Sequence, residues 1–94
     1  MKLETAARQL ESLGSPIRLK IYRALVRAGE EGLACGMLQS KIGLPASTLS
    51  HHLKVLREAG IVTARVDGTR KYHTLHRADL EARFPGLLDS VLCG

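Results

Sequence analysis

The segment at residues 43–60, GLPASTLSHHLKVLREAG, restricts the fold of this sequence more than any other. Folded as a helix with 3.6 residues per turn, it has two faces of opposite chemistry. One face is apolar and consists of Leu49, Leu53 and Leu56. The opposite face is polar and cationic and consists of Ser47, His51 and Lys54. Such a helix packs on a core with one side and presents hydrogen-bonding groups with the other, as the second helix of a helix-turn-helix does in the DNA major groove.

Three further helices are predicted before this segment. The first has a narrow apolar seam, typical of a helix that docks on a partner helix, formed by Leu3, Ala6, Leu10 and Leu13. The second begins at Ser15-Pro16, because serine is a good N-cap and proline is tolerated in the first turn. Its buried face is predicted to hold Ile17, Ile21, Tyr22, Leu25 and Val26, and its exposed side Arg18, Lys20, Arg23 and Arg27. After a loop at 28–32, the third helix runs from about residue 34 to 42 and ends at Gly43.

A hairpin and a last helix are predicted after the segment. Residues 61–66 and 70–75 are rich in strand-forming side chains, and Asp67-Gly68-Thr69 between them favours a tight turn. Residues 77–92 have helical apolar spacing, which Pro85-Gly86 should interrupt. The order α-α-α-α-β-β-α predicts a mainly helical winged helix-turn-helix, and 94 residues fit a single domain over 1–94.

The charge of the chain favours a polyanionic partner. The formal net charge is +5, and residues 43–77 hold six basic and two acidic residues, so most of the excess lies in the helix and hairpin. No apolar run reaches the ~20 residues that a membrane span needs, and the N-terminal residues lack the apolar region of a signal peptide. We therefore expect a cytoplasmic protein with no membrane partner.

Three passages, in order along residues 10–80, resemble the ArsR/SmtB family of bacterial winged-helix repressors. The first is GSPIRLKI at 14–21, the second is STLSHHLKVLREAGIV at 47–62, and the third is RVDGTRKY at 65–72. The second passage is the most characteristic of the family, and the basic hairpin after it makes the combination far narrower than a helix-turn-helix alone.

The resemblance implies a homodimer that forms through its first and last helices and represses from a pseudo-palindromic DNA operator until an effector weakens binding. By position in the motif, the residues implied near base edges and phosphates are Ser47, Thr48, Ser50 and His51, with Lys54 on the backbone. Arg70 and Lys71 beside the wing tip would reach a minor groove or phosphate, and Arg65 is expected to join them. His52 points to the packed side and is expected to be a hydrogen-bonded structural residue.

No metal site or cofactor is expected, because the family's metal ligands are not matched. Where metal-sensing relatives carry Cys-x-Cys, this chain has Ala34-Cys35-Gly36, and residues 77–94 contain no histidine. Cys35 is expected to be a small buried residue, although a redox pair with Cys93 remains open. His73 and His76 are expected to have surface or capping roles. The effector stays unidentified.

Two other readings of the function compete with a DNA-binding regulator. A winged-helix module that binds another protein is the first, but only 3% of the residues are aromatic and the exposed stripe is cationic, whereas such surfaces favour aromatic anchors. An enzyme is the second, and the sequence has no nucleophile with a paired base, no carboxylate pair and no phosphate loop. Within the regulator reading, a thiol-based redox or reactive-sulfur sensor is the alternative to a metal sensor.

Overall fold

The computed structural model describes residues 3–87 and 89–90. Its elements in chain order are α1 (Leu3–Ser12), α2 (Pro16–Ala28), a 3₁₀ turn (Gly29–Glu31), β1 (Leu33–Ala34), α3 (Cys35–Ile42), α4 (Ala46–Glu58), β2 (Val62–Asp67), β3 (Arg70–Leu75) and α5 (Arg77–Arg83). This arrangement is the predicted winged helix-turn-helix, with one strand more than expected.

The helix boundaries follow the predicted local signals. Ser15 caps α2, since its Oγ accepts a hydrogen bond from the backbone N–H of Arg18 at 3.4 Å, and Pro16 is the first helical residue. Gly43 ends α3 in the left-handed conformation with φ 79°, which favours glycine. The turn from α3 to α4 is therefore only three residues long.

The additional strand is β1, which converts the expected two-stranded wing into a three-stranded antiparallel sheet of order β1-β3-β2. Two residues are too few to show an alternating pattern, so β1 could not be predicted. Leu33 lies opposite His73 of β3. Gly32 makes this pairing possible, because a Cβ at its position would lie 2.4 Å from the carbonyl oxygen of His73. The hairpin turn is shorter than expected, since Asp67 belongs to β2.

The core lies where α2, α3, α4 and the sheet meet. The predicted apolar face of α4 is fully enclosed, which confirms its assignment to the core. The other large side chains that are fully buried with it are Ile21, Tyr22, Leu25, Leu38, Ile61, Val62 and Leu80. The buried face of α4 thus fixes which of its side chains remain outside.

Helix α1 packs on its own chain through polar residues and leaves apolar residues exposed. Gln9 and Ser12 are buried, and Ser12 Oγ donates a hydrogen bond to the Gln9 carbonyl oxygen at 2.7 Å. Leu3 and Leu10 are 83% and 51% exposed, although Leu13 is buried. Two of the four residues of the predicted seam therefore face outward, while Ala6 is half-buried.

The break in the C-terminal helix lies at the predicted place. Helix α5 ends at Arg83, just before Pro85, and a later hydrogen bond from Ser90 N to Gly86 O marks a return to helical backbone. The end of the predicted helix, residues 91 and 92, lies outside the described residues. Across the described part of the chain, no helix has the length and apolar character needed to cross a membrane.

Candidate nucleic-acid interface

The face of α4 opposite the core is exposed to solvent. The five residues expected to contact DNA from this helix are all exposed, namely Ser47, Thr48, Ser50, His51 and Lys54. Pro45 occupies the N-cap position and makes no side-chain capping hydrogen bond. The N–H groups of the first turn are thus left for other acceptors, and together with the helix dipole they favour a phosphate at this end.

Helix α4 is held in place by Arg18, which contacts two other elements. Arg18 Nε donates a hydrogen bond to His52 Nδ1 at 3.3 Å, and its Nη1 donates to the carbonyl oxygen of Ser12 at 3.1 Å. Burial lowers the pKa of His52, and the charges of Arg18 and His51 lower this pKa further. The neutral ring keeps the lone pair that accepts from Arg18, so the expected structural role of His52 is confirmed.

The two adjacent histidines of α4 diverge. The ring centroids of His51 and His52 are 5.8 Å apart and the ring planes are inclined by 61°. His51 is exposed while His52 is half-buried. His51 alone is therefore placed to contact a ligand on the outer face, where an imidazole can donate to an acceptor on a base edge.

Lys54 forms a weak ion pair on the surface of α4. Its Nζ lies 4.0 Å from Glu58 Oε1, one helical turn further on, and both side chains are about 64% exposed. Exposed pairs of this kind contribute only ~0.3–0.5 kcal/mol and are screened by salt. Lys54 can exchange this partner for a phosphate at little cost.

Two basic side chains project from the wing next to its turn. Arg70 and Lys71 are exposed at the start of β3. Arg70 is registered opposite Asp67, but the Asp67 carboxylate lies 3.8 Å from Nη1 of Arg65. Within the described residues, Arg70 and Lys71 form neither an ion pair nor a side-chain hydrogen bond, so both charges are available to an anion.

Arg65 differs from these two residues because it is tied into the wing. Its Nη2 donates a hydrogen bond to the carbonyl oxygen of Glu31 at 2.9 Å, and its guanidinium lies over the Tyr72 ring, 4.9 Å from the ring centroid. The residues are cross-strand neighbours in the hairpin register. Arg65 thus joins the wing to the 3₁₀ turn. Sequence reasoning missed Glu31 and Tyr72 as supports, although the pairing of 65 with 72 follows from a hairpin centred on 68–69.

The remaining histidines do not belong to this surface. His73 is only 5% exposed on β3, so the expected surface or capping role is wrong for it. Burial lowers the pKa of His73, and the charges of Lys71 and Arg57 add to this effect. His73 lies inside the three-stranded sheet, where Leu33 of β1 and Ala64 of β2 are its cross-strand neighbours. His76 is exposed just before α5 and makes no side-chain capping hydrogen bond.

Cys35 is the first residue of α3 and has a free thiol, and it packs against the core but is only half-buried, whereas the prediction made it a buried residue. Cys93 lies outside the described residues, so the redox pair remains a prediction. In the stretch from 3 to 90, leaving out residue 88, no three His, Cys, Asp or Glu side chains are grouped so that they could hold a metal ion.

Comparison with known proteins identifies the family of this chain. A family model described as a helix-turn-helix domain matches residues 13–65. The HTH-type transcriptional regulator YceK of Bacillus subtilis is 35% identical over 85 residues, covering 90% of this chain and 84% of the relative. A homodimeric winged helix-turn-helix DNA-binding domain from Mycobacterium bovis, a possible ArsR-family transcriptional regulator, is similar with a TM-score of 0.80 and 30% identity, covering 95% of this chain and 79% of that one.

A third similar protein is the transcriptional repressor BigR of Xylella fastidiosa. Its structure has a TM-score of 0.67 and 34% identity, with 86% of this chain and 87% of that chain covered. These likenesses extend over the helix-turn-helix and the wing together. The chain belongs to the ArsR-type family of winged helix-turn-helix transcriptional regulators, which are DNA-binding proteins and not enzymes.

Proposed function

We propose that the chain is a homodimeric repressor that binds a pseudo-palindromic operator in the cytoplasm and leaves it in response to a signal. The observation that carries the proposal is the exposed polar face of α4, with its uncapped N-terminal turn, followed along the chain by two unpaired basic side chains on the wing. The hydroxyl and imidazole groups of this face can form hydrogen bonds with base edges in a major groove. The uncapped backbone N–H groups at the start of the helix can donate to a DNA phosphate.

The proposed contacts divide into those that specify sequence and those that position the protein. Ser47, Thr48, Ser50 and His51 are assigned to base edges and nearby phosphates, and Lys54 to the backbone. Arg70 and Lys71 are assigned to a minor groove or phosphates beside the site. Arg65 is assigned to the support of the wing, because its hydrogen bond and cation–π contact already engage the guanidinium.

The proposed dimer rests on the apolar residues that α1 leaves uncovered. Leu3 and Leu10 are largely exposed on a helix that already packs on its own chain through its polar face. A small domain gains stability by burying such residues against a second copy. The similar Mycobacterium bovis domain is homodimeric, and BigR is a repressor, which supports both parts of the proposal.

A footprint on the DNA upstream of the chain's own gene tests the architecture. The α4 helices of two protomers related by a twofold axis should protect two half-sites about 34 Å, or one DNA turn, apart. Protection of a single half-site would contradict the dimer. DNA affinity that does not change with salt concentration would contradict the phosphate contacts.

The variant His51→Ala tests the assignment of the reading face. Loss of a base-edge hydrogen bond should lower the preference for the operator over unrelated DNA by about 1–3 kcal/mol, while non-specific binding changes little. Competition anisotropy with the two DNAs measures this preference. His52→Gln is the matched control, and it should alter stability more than discrimination. Equal loss of affinity for both DNAs in the His51 variant would contradict the assignment.

A further inference from the structure

An open groove of about 530 Å³ lies between α2 and α3, and none of the residues assigned to DNA contact lines it. Four basic side chains from the two helices surround the groove, namely Lys20, Arg23, Arg27 and Lys41. The other four lining residues, which we call the floor, are apolar, namely Ala24, Ala28, Leu33 and Ile42. The volume of the groove falls in the range of roughly 300–1,000 Å³ that is common for small-molecule sites.

The charge of the groove has one sign. No acidic residue lines it. Three of the basic residues follow one face of α2 at spacings of three and four, where like charges repel each other. Within the described residues, the side chains of Lys20, Arg27 and Lys41 form no ion pair. The groove therefore concentrates positive potential that an anion would relieve.

The apolar floor restricts what kind of anion fits. Leu33 is buried, whereas Ala24, Ala28 and Ile42 are half-buried and so leave part of their apolar surface accessible in the groove. An inorganic ion would pair with the basic rim but would leave this apolar surface wet. A ligand with both an acid group and a hydrocarbon or aromatic body satisfies the rim and the floor together.

We propose that this groove binds a small organic anion, in which a carboxylate or sulfonate is carried on an apolar body, and that the bound anion lowers the affinity of the chain for DNA. The second half rests on the proposed DNA-binding function. Neutralising the groove reduces the long-range attraction between the chain and DNA. Lys41 lies two residues before the three-residue turn that leads into α4, so a ligand on α3 acts next to the helix that contacts DNA. By linkage, DNA must weaken anion binding by the same factor.

Titration of the full chain in the absence of DNA tests the site itself. The probes are octanoate and the aromatic sulfonate 8-anilinonaphthalene-1-sulfonate, and the comparison arms are octanol and inorganic phosphate. We expect saturable binding of at least one of the two organic anions, with octanol and phosphate weaker by roughly tenfold or more. Binding of neither organic anion overturns the proposal. Affinity for phosphate or for octanol equal to that for the organic anions also overturns it, because the site would then recognise charge alone or apolar surface alone.

Charge-reversal variants locate the binding. Arg27→Glu and Lys41→Glu should each lower the affinity for the organic anion by roughly tenfold, because each replaces an attractive charge with a repulsive one. Arg8→Glu makes the same change of net charge on the exposed surface of α1, outside the groove, and should leave the affinity within about twofold. Circular dichroism establishes that the variants are folded. An equal effect of all three variants overturns the location.

DNA affinity measured with and without the probe separates the two proposals. Failure of the chain to bind DNA on its own contradicts the proposed function and leaves the direct titration of the groove standing. Probe binding that leaves DNA affinity unchanged overturns the regulatory half. Support requires that the probe weakens DNA binding in the wild type and loses this effect in Lys41→Glu.

Discussion

Replacement of Arg70 by glutamine is expected to flatten the salt dependence of DNA binding. Arg70 is exposed beside the wing turn, and Asp67, its cross-strand neighbour, is held by Arg65. In the described part of the chain, the guanidinium of Arg70 has no ion pair to give up when it meets a phosphate. Its full charge is therefore available for counterion release from DNA.

The magnitude follows from one phosphate contact per chain and two per dimer. Each contact adds about 0.9 to the slope of log affinity against log salt, so the variant dimer should lose about 1.8 from this slope. Between about 50 and 200 mM salt, the ratio of wild-type to variant affinity should then shrink by roughly tenfold. Fluorescence anisotropy on one labelled duplex across this range measures both slopes.

Arg65→Gln is the matched control, because it removes the same charge from the same wing. Arg65 is already engaged by Glu31 and Tyr72, so its loss should lower the melting temperature and leave the salt slope nearly unchanged. An Arg70 variant with the wild-type slope would refute the phosphate contact. An Arg65 variant that flattens the slope equally would refute the distinction between a contacting and a supporting arginine.

Three predictions concern stability. Leu49→Ala should lower the free energy of unfolding by about 2–5 kcal/mol in urea denaturation, because the side chain is fully buried. Gly32→Ala should cost more than the ~1–3 kcal/mol expected for Gly29→Ala, since both glycines have positive φ but only Gly32 is crowded by a carbonyl oxygen. The contribution of His52 and His73 to the free energy of unfolding should be fully present above about pH 6.5 and should be lost as the pH falls below that value. Folding lowers the pKa of both histidines, so the unfolded chain binds protons at a higher pH than the folded chain does.

The outcomes that contradict these stability predictions are specific. A loss below about 1 kcal/mol for Leu49→Ala would mean that α4 is not anchored by its apolar face. Equal costs for the two glycine variants would remove the steric reason for Gly32. For the pH dependence, the double variant His52→Gln/His73→Phe is the control, and an unchanged slope between about pH 5.5 and 7.5 in it would assign the effect to other groups.

The elements with strong local signals could be predicted from the sequence. The 3.6-residue period of residues 43–60 gives both faces of α4, and Ser15-Pro16 and Gly43 mark a helix start and a helix end through their own backbone preferences. The exposed candidates on α4 follow directly, because the buried leucines fix the opposite face.

The features that escaped prediction depend on contacts between distant residues. The partner of Arg65 is a backbone carbonyl 34 residues earlier, and every residue has such a carbonyl, so no side-chain pattern reveals it. Gln9 is polar but only 1% exposed, and its Nε2 would lie 3.4 Å from a Cβ on Gly60, which follows α4 much later in the chain. The pairing of His73 with Leu33 likewise could not be predicted, because β1 is too short to leave a pattern.

The short strand β1 reduces the conformational freedom that the wing must give up when it binds a partner surface. A free two-stranded hairpin swings about its base, and binding has to suppress that motion at an entropic cost. Here the stem is paired with β1 on its second edge and is joined by Arg65 to the turn before β1, so its orientation is set when the chain folds. Only the exposed tip around residues 66–71 extends beyond the part of the hairpin that β1 pairs. The wing is a preorganised arm, and folding has already supplied most of the order that binding would otherwise require.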